Sequence, residues 1–318
     1  MFGTAHDSSN PTGGRDIHRS DRSDTRAGHF AGARILIVGC GDVGGRLIAH
    51  LNGRFRVHAV THSMERVDAL RRAGVVPIVA DLDDVRSLHR LGGIAPTVIH
   101  LAPPPGAGIV DTRTRSLLRS LHGVERMIYI STSGVYGDCH DALIDETRAV
   151  APQTDRAHRR VDAERQLRLW ARIRQVRLTI LRVPGIYAQD RLPTTRIAAG
   201  TPVLQASEDV YTNHIHADDL ARLIALTIHR GAAQRVYHAV DESAMRMGDW
   251  FDLLADAHRM PRPERVSREA IEARIAPNLL SFMAESRLLS NRRMRDELGM
   301  HLTYPTVREG VAAALAER

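Results

Sequence analysis

The sequence contains no lysine: all 44 of its Lys-plus-Arg positions are arginine. That absence excludes Schiff-base and pyridoxal chemistry, a phosphate-loop lysine, and any ammonium that would lower the pKa of a neighbouring tyrosine. Cysteine is nearly absent too. Cys40 and Cys139 have no CxxC spacing, so neither a zinc ribbon nor a disulfide scaffold is expected, which fits a reducing compartment. Aromatic residues make up only 4%, and the net charge of +7 is spread along the chain. A nucleic-acid binder would instead show a basic stripe interleaved with aromatic platforms, so no nucleic-acid partner is expected. No run approaches the ~18 apolar residues of a membrane span, and the N-terminus has no apolar leader core. The expectation is a cytoplasmic protein without a membrane partner.

What is present divides the chain into parts. Residues 1–32 are rich in Ser, Gly, Arg and Asp, and cannot bury enough apolar surface to offset their ordering entropy, so a disordered tail is expected. From Arg34 onward, short apolar runs alternate with helical segments, the rhythm of βαβ units around a parallel sheet. Strands are expected at 34–38, 55–60, 75–80, 96–101, 126–130 and 177–182, with a long helix over 155–175. On that helix Ala163, Leu167, Trp170 and Ile173 form an apolar stripe, and Arg160 is spaced to pair with Glu164. The fold class is therefore α/β, a doubly wound parallel sheet over 33–183. A smaller, mostly helical substrate lobe follows over 184–318, with elements of the sheet domain returning at about 209–240.

Gly39-Cys40-Gly41-Asp42-Val43-Gly44 follows the first strand and opens a helix, the context in which GxGxxG signals a dinucleotide site. Gly39 allows the tight turn, Gly41 lets the backbone approach a pyrophosphate, and Gly44 lets helix and strand pack closely. The helix-start N–H groups would hold the phosphates. An acidic residue about 20 positions on would grip the 2′-hydroxyl of NAD. The second strand runs instead into His62, Ser63 and Arg66, a set better suited to a 2′-phosphate, so NADP is preferred over NAD. Glu65 is the residue that argues the other way, although an acid in a first helical turn is ordinary.

Taken in chain order, these residues resemble the extended short-chain dehydrogenase/reductases of the NAD-dependent epimerase/dehydratase type. The likeness rests on the glycine loop, Asp81-Leu82, His100-Leu101-Ala102, the run Ser131 to Gly137, the run Leu181 to Tyr187, and Asn213 to Ala221. It implies a Rossmann domain. It also implies that Asp81 accepts from the adenine amino group beside Leu82, that Leu101 and Ala102 lie under the cofactor ribose, and that Val183 and Pro184 lie near the nicotinamide. Thr132 matches the catalytic hydroxyl of the family; a strand-end hydroxyl bonded to backbone is the plainer alternative.

The resemblance fails at one motif. The family carries Tyr-x-x-x-Lys on the long helix, where the ammonium lowers the phenol pKa and the phenolate exchanges a proton. Here Arg156 stands in the tyrosine place and Arg160 in the lysine place. A guanidinium does not deliver protons near neutral pH, although it can hold an anion or the cofactor ribose. Tyr136, His158 and Tyr187 are the candidates for a replacement acid. The resemblance therefore implies an atypical oxidoreductase or epimerase acting on a sugar-nucleotide-like or small anionic substrate. The alternative is a non-catalytic NADP-binding sensor or scaffold, and a homodimer is left open. His214 and His216 share a strand face, but the family match makes them structural, and no metal is expected.

Overall fold

In the computed structural model, which describes residues 33–51 and 53–316, seven parallel strands form one sheet. The expected tail, 1–32, lies outside the described residues. The strands are β1 (Arg34–Val38), β2 (Arg56–Thr61), β3 (Val76–Val79), β4 (Thr97–His100), β5 (Arg126–Thr132), β6 (Arg177–Val183) and β7 (Arg235–His238). Their spatial order is β7-β6-β5-β4-β1-β2-β3. Strand order reverses between β1 and β4, the topological switch point beside which ligands bind in such sheets.

β1 explains why the sheet carries two layers. Ile35 and Ile37 point to one face and meet Leu47, Ile48 and Leu51 of α1 (Asp42–Leu51) and Leu220 and Ile224 of α5 (Ala217–Arg230). Leu36 and Val38 point to the other face. They belong with Leu117 of α3 (Thr112–Ser120) and Ala163, Leu167 and Ala171 of α4 (Asp155–Arg174). All four strand residues are fully buried, which is why β1 reads as an unbroken apolar run. The remaining helix of this part, α2 (Val67–Arg72), follows β2 after a short 3₁₀ turn over Met64–Arg66.

α4 begins at Thr154, whose side chain accepts from the Ala157 N–H, and ends at Gln175 in the left-handed conformation. Its buried face differs from the expected stripe. Ala163, Leu167 and Ala171 are buried, whereas Ile173 is 68% exposed. The expected Arg160–Glu164 pair is also absent. Glu164 is drawn inward to Arg182 of β6 at 2.7 Å, and Arg160 turns to the Tyr129 hydroxyl at 3.0 Å and the Ile130 carbonyl at 2.9 Å. A buried arginine on the adjacent strand competes better for the carboxylate than one on the half-solvated helix surface, because its alternative is an unpaired buried charge.

Past β6 the chain forms short helices tied by two- and three-residue ribbons. Gly185–Tyr187 pairs with His214–His216, and Tyr211–Thr212 pairs with Met245–Arg246. A separate cluster of Tyr187, Ile197, Val203, Trp250, Phe251 and Leu254 forms their core. His214 and His216 pack edge-on against Tyr187, and the Asp218 N–H donates to His216 Nδ1 at the start of α5.

Candidate functional site

A groove of about 390 Å³ opens at the carboxyl ends of β1 to β4. It brings together eight of the residues singled out for the cofactor: Gly39, Gly41, His62, Arg66, Asp81, Leu82, Leu101 and Ala102. Register explains the convergence. Val38 is paired with both Val60 and His100, so the glycine turn starts at the level where β2 and β4 end. The N–H groups of Leu101 and Ala102 both donate to the Val38 carbonyl, at 2.8 and 3.0 Å, and hold the β4 exit against the turn.

The two leading glycines have different jobs. Gly39 has φ +88°, and a Cβ there would lie 2.5 Å from the Ala102 backbone, so the fold itself requires glycine. At Gly41 a Cβ would meet no atom within 4 Å. Protein packing does not demand glycine there, so the turn presents open backbone to the groove. That open cradle is where the pyrophosphate of a dinucleotide fits. At Gly44 a Cβ would come within 3.1 Å of Cys40 Sγ and 3.4 Å of Leu101 Cδ1, so this glycine serves packing.

Charge in the groove is arranged in two ways. Arg113 makes a 2.6 Å ion pair with Asp83 and donates toward the Pro103 and Pro104 carbonyls, spanning the groove wall between the β3 and β4 exits. Arg66 makes no ion pair among the described residues, and Glu65 is exposed and does not line the groove. Among the described residues Arg66 is thus a groove-lining guanidinium without an ion pair, and His62 lines the same groove. Cys40 also lines the groove; burial pushes its thiol up, against a smaller opposing pull from Arg66.

Besides Gly44, four cofactor candidates, Asp42, Val43, Ser63 and Val183, line neither this groove nor the second cavity described below. Asp42 is held by Arg46 at 3.0 Å and by Arg191 at 2.8 Å. Burial would raise its pKa, but these hydrogen bonds outweigh it and keep the carboxyl below the usual range. Val43, in the first turn of α1, packs against the core, the Ser63 N–H donates to Thr61 Oγ1 at 3.2 Å, and Val183 is buried.

A second cavity, about 180 Å³, lies at the ends of β5 and β6. Thr132 of β5 is paired in register with Val183 of β6, and Thr132, Pro184 and Arg156 of α4 line this cavity together. Thr132 Oγ1 accepts the Gly134 N–H at 3.3 Å, so the plainer backbone role is present, while the hydroxyl hydrogen stays available to donate. Arg156 stacks on Phe282 with its guanidinium carbon 3.7 Å from the ring centroid, and burial lowers its pKa. Arg160 does not line either cavity.

Tyr136 is also elsewhere. It is 1% exposed, and its hydroxyl bonds His238 Nε2 at 2.6 Å and Arg182 Nη1 at 2.7 Å. Burial pushes its phenol up to about 12, against the opposing pull of Arg182, and pushes His238 down to about 4. Together with Ser131 Oγ, which donates to Glu164 at 2.7 Å, these groups form a closed polar network under the floor of the second cavity. Tyr187 is likewise buried, with its hydroxyl on the Thr306 carbonyl, and His158 is exposed.

Asn213, the first residue of a motif run, also lines the second cavity, with residues that the motifs did not point to: Tyr211, Met247, Phe282, Glu285 and Arg287. They come from ribbons, turns and the start of the helix Met247–Ala257 in the C-terminal part, which carry no spacing pattern. A charged pair two residues apart, Glu285 and Arg287, was the only signal in the sequence.

This fold and groove define a doubly wound nucleotide-binding protein. The family described as NAD(P)H-binding matches residues 39–230, and the chain belongs to that family. No curated protein sequence matches it. Among solved structures, a conserved protein of unknown function from Silicibacter pomeroyi is 24% identical, with a TM-score of 0.74 over 90% of this chain and 99% of that one. UDP-glucose 4-epimerase from Thermotoga maritima, solved with UDP-glucose, is 18% identical, with a TM-score of 0.72 over 89% and 97%. UDP-glucuronic acid 4-epimerase from Bacillus cereus, solved with UDP-glucuronic acid and NAD, is 16% identical, with a TM-score of 0.71 over 89% and 98%. These likenesses establish the Rossmann fold. Among the described residues no helix is long and apolar enough to cross a membrane.

Proposed function

We propose that the protein is an NADP-preferring oxidoreductase or epimerase of the atypical extended short-chain dehydrogenase kind. Its substrate is a small molecule, sugar-nucleotide-like or otherwise anionic. The observation that carries this reading is the meeting of Thr132, Arg156 and Pro184 in one cavity at the same sheet edge as the dinucleotide groove. A bound nicotinamide supplies hydride transfer. The chain supplies the rest. Backbone at Gly39 to Gly41 and the start of α1 holds the pyrophosphate, and Arg66 with His62 holds the 2′-phosphate through charge-assisted hydrogen bonds. Asp81 accepts from adenine, Leu82, Leu101 and Ala102 shape the groove, and Pro184 bounds the nicotinamide end. Thr132 polarises a substrate carbonyl, and Arg156 holds an anionic group of the substrate. Arg160, tied to Tyr129 and the Ile130 carbonyl, fixes α4 on β5. The protein works in the cytoplasm, as a monomer or homodimer, without a nucleic-acid partner.

One observation favours the sensor or scaffold alternative: both positions of the Tyr-x-x-x-Lys motif are guanidiniums, which exchange no protons near neutral pH. Assays of 4-epimerisation of UDP-glucose and of NADPH-dependent ketone reduction separate the two readings. Turnover that falls about 10²-fold or more in Thr132→Ala supports the enzyme, and a cofactor-bound protein that turns nothing over supports the sensor.

A further inference from the structure

The cavity that holds Thr132 and Arg156 needs a proton-exchanging group if it is to carry out the chemistry proposed above, and the helix tyrosine that would serve is replaced by arginine. Four titratable side chains line that cavity: Arg156, Arg287, Tyr211 and Glu285. The two arginines cannot exchange protons near neutral pH. Tyr211 is half-buried, with the Arg246 guanidinium 4.5 Å from its ring centroid. Glu285 is placed differently. It is 5% exposed, its Oε2 is held by Arg287 at 2.8 Å, and its Oε1 is buried with no hydrogen-bond partner.

An unpartnered buried carboxylate oxygen is costly, and folded proteins retain few of them. The surroundings keep this one in place. The Cys139 N–H donates to the Ser286 carbonyl at 2.8 Å, Asn213 Nδ2 donates to the Arg287 carbonyl at 2.9 Å, and the Leu289 N–H donates to Asn213 Oδ1 at 3.0 Å. Glu285 is thus set on a clamped segment with one oxygen anchored and the other left over, in the wall of a cavity that holds a strand-end hydroxyl and a guanidinium.

We propose that Glu285 is the proton-exchanging residue of this cavity, taking the place of the missing tyrosine. The proposal rests on the enzyme reading of the site. In oxidation, the O–H bond of a substrate alcohol breaks and its proton passes to Glu285 Oε1. A bound oxidised nicotinamide would take up, as hydride, the electron pair of the C–H bond broken on the same carbon, leaving C=O. Reduction runs the same transfers backward, with the Glu285 carboxyl returning the proton to oxygen. Arg287 keeps Oε2 fixed, and Arg156 binds the anionic part of the substrate.

The test uses the full chain as wild type, Glu285→Gln, Glu285→Asp and Tyr211→Phe. The first readout is steady-state turnover with NADPH and 9,10-phenanthrenequinone, and with NADP⁺ and UDP-glucose. The proposal predicts that Glu285→Gln lowers kcat by about 10²- to 10⁴-fold with KM changed less than about threefold, and that Glu285→Asp recovers part of the loss. Turnover that survives Glu285→Gln, or a larger loss in Tyr211→Phe, overturns the proposal alone. No turnover by the wild type with either probe overturns the enzyme reading and this proposal with it. The second readout needs no turnover: the infrared difference spectrum of wild type minus Glu285→Gln. It should show one carboxyl band that shifts when UDP-glucose is added, as contact between Glu285 and the substrate requires, and a band that UDP-glucose leaves unchanged overturns the proposal.

Discussion

Replacing Gly41 and Gly39 by alanine separates what the nucleotide groove does for the fold from what it keeps for a ligand. At Gly41 the new methyl meets open space and φ is not positive, so the folded state gains no strain. The unfolded chain loses freedom, and stability should hold or rise by about 0.4–1 kcal/mol. The same methyl stands where the pyrophosphate would lie, so dinucleotide affinity should fall at least tenfold, equivalent to about 1.4 kcal/mol of binding. At Gly39 the signs change. An L-residue at φ +88° carries about 1–2 kcal/mol of strain, and a methyl 2.5 Å from the Ala102 backbone adds about 1–3 kcal/mol of overpacking. Gly39→Ala should therefore lose about 2–5 kcal/mol of stability. Urea unfolding and NADPH fluorescence titration on both variants make the measurement. A Gly41→Ala protein that binds NADPH as tightly as wild type, or one destabilised as much as Gly39→Ala, refutes the reasoning.

Two further predictions concern buried charge. Burial pushes the Asp241 carboxyl up to about 7 from its ordinary 3.8, against the hydrogen bonds of Ser243 and with Asp219 and Glu242 nearby. Because the folded state holds this proton more tightly than the unfolded one, its contribution to stability is present at low pH and is lost as pH rises from about 4 to 7, by up to about 4 kcal/mol. Asp241→Asn should flatten that decline, as followed by urea unfolding across the range; an unchanged slope would contradict the assignment. Glu164→Ala leaves Arg182 buried and uncompensated and should cost about 3–5 kcal/mol in the same assay, whereas the double change Glu164→Leu with Arg182→Met should recover most of it. A single variant that unfolds like the wild type would show that the buried pair is not carried as drawn.

The fold was legible in the sequence because its signals are local. A buried strand such as Ile35 to Val38 announces itself by four consecutive apolar residues, and the glycine turn by spacing alone. Strand limits differ from the expected ones by a residue or two: Phe55 precedes β2 and Leu101 follows β4, while β5 runs on to Thr132. The groove followed from the same locality, since each strand tip contributes a short motif and parallel register brings the tips level. What stayed illegible depends on distant partners. Tyr136 was a candidate for the replacement acid in a motif turn, but His238 and Arg182, far along the chain, occupy its hydroxyl. Glu164 had a helical neighbour four residues away and chose a strand arginine. Glu285, Arg287 and Phe282 sit in a stretch without periodicity and reach the second cavity only because ribbons at 143–144 and 211–213 hold that stretch against it. The absence of lysine took on a specific meaning in the structure: Arg160, in the lysine place, faces Tyr129 and the β5 backbone rather than a cavity.

The central claim is that the β1 to β4 groove binds a nicotinamide dinucleotide and that Arg66 selects the phosphorylated form. Titration calorimetry of the full chain with NADPH and NADH, repeated on Arg66→Ala, tests it most directly. The account predicts that NADPH binds about tenfold more tightly than NADH to the wild type, and that Arg66→Ala removes the difference by weakening NADPH alone. Equal affinities in the wild type, tighter NADH, or no binding of either would contradict it.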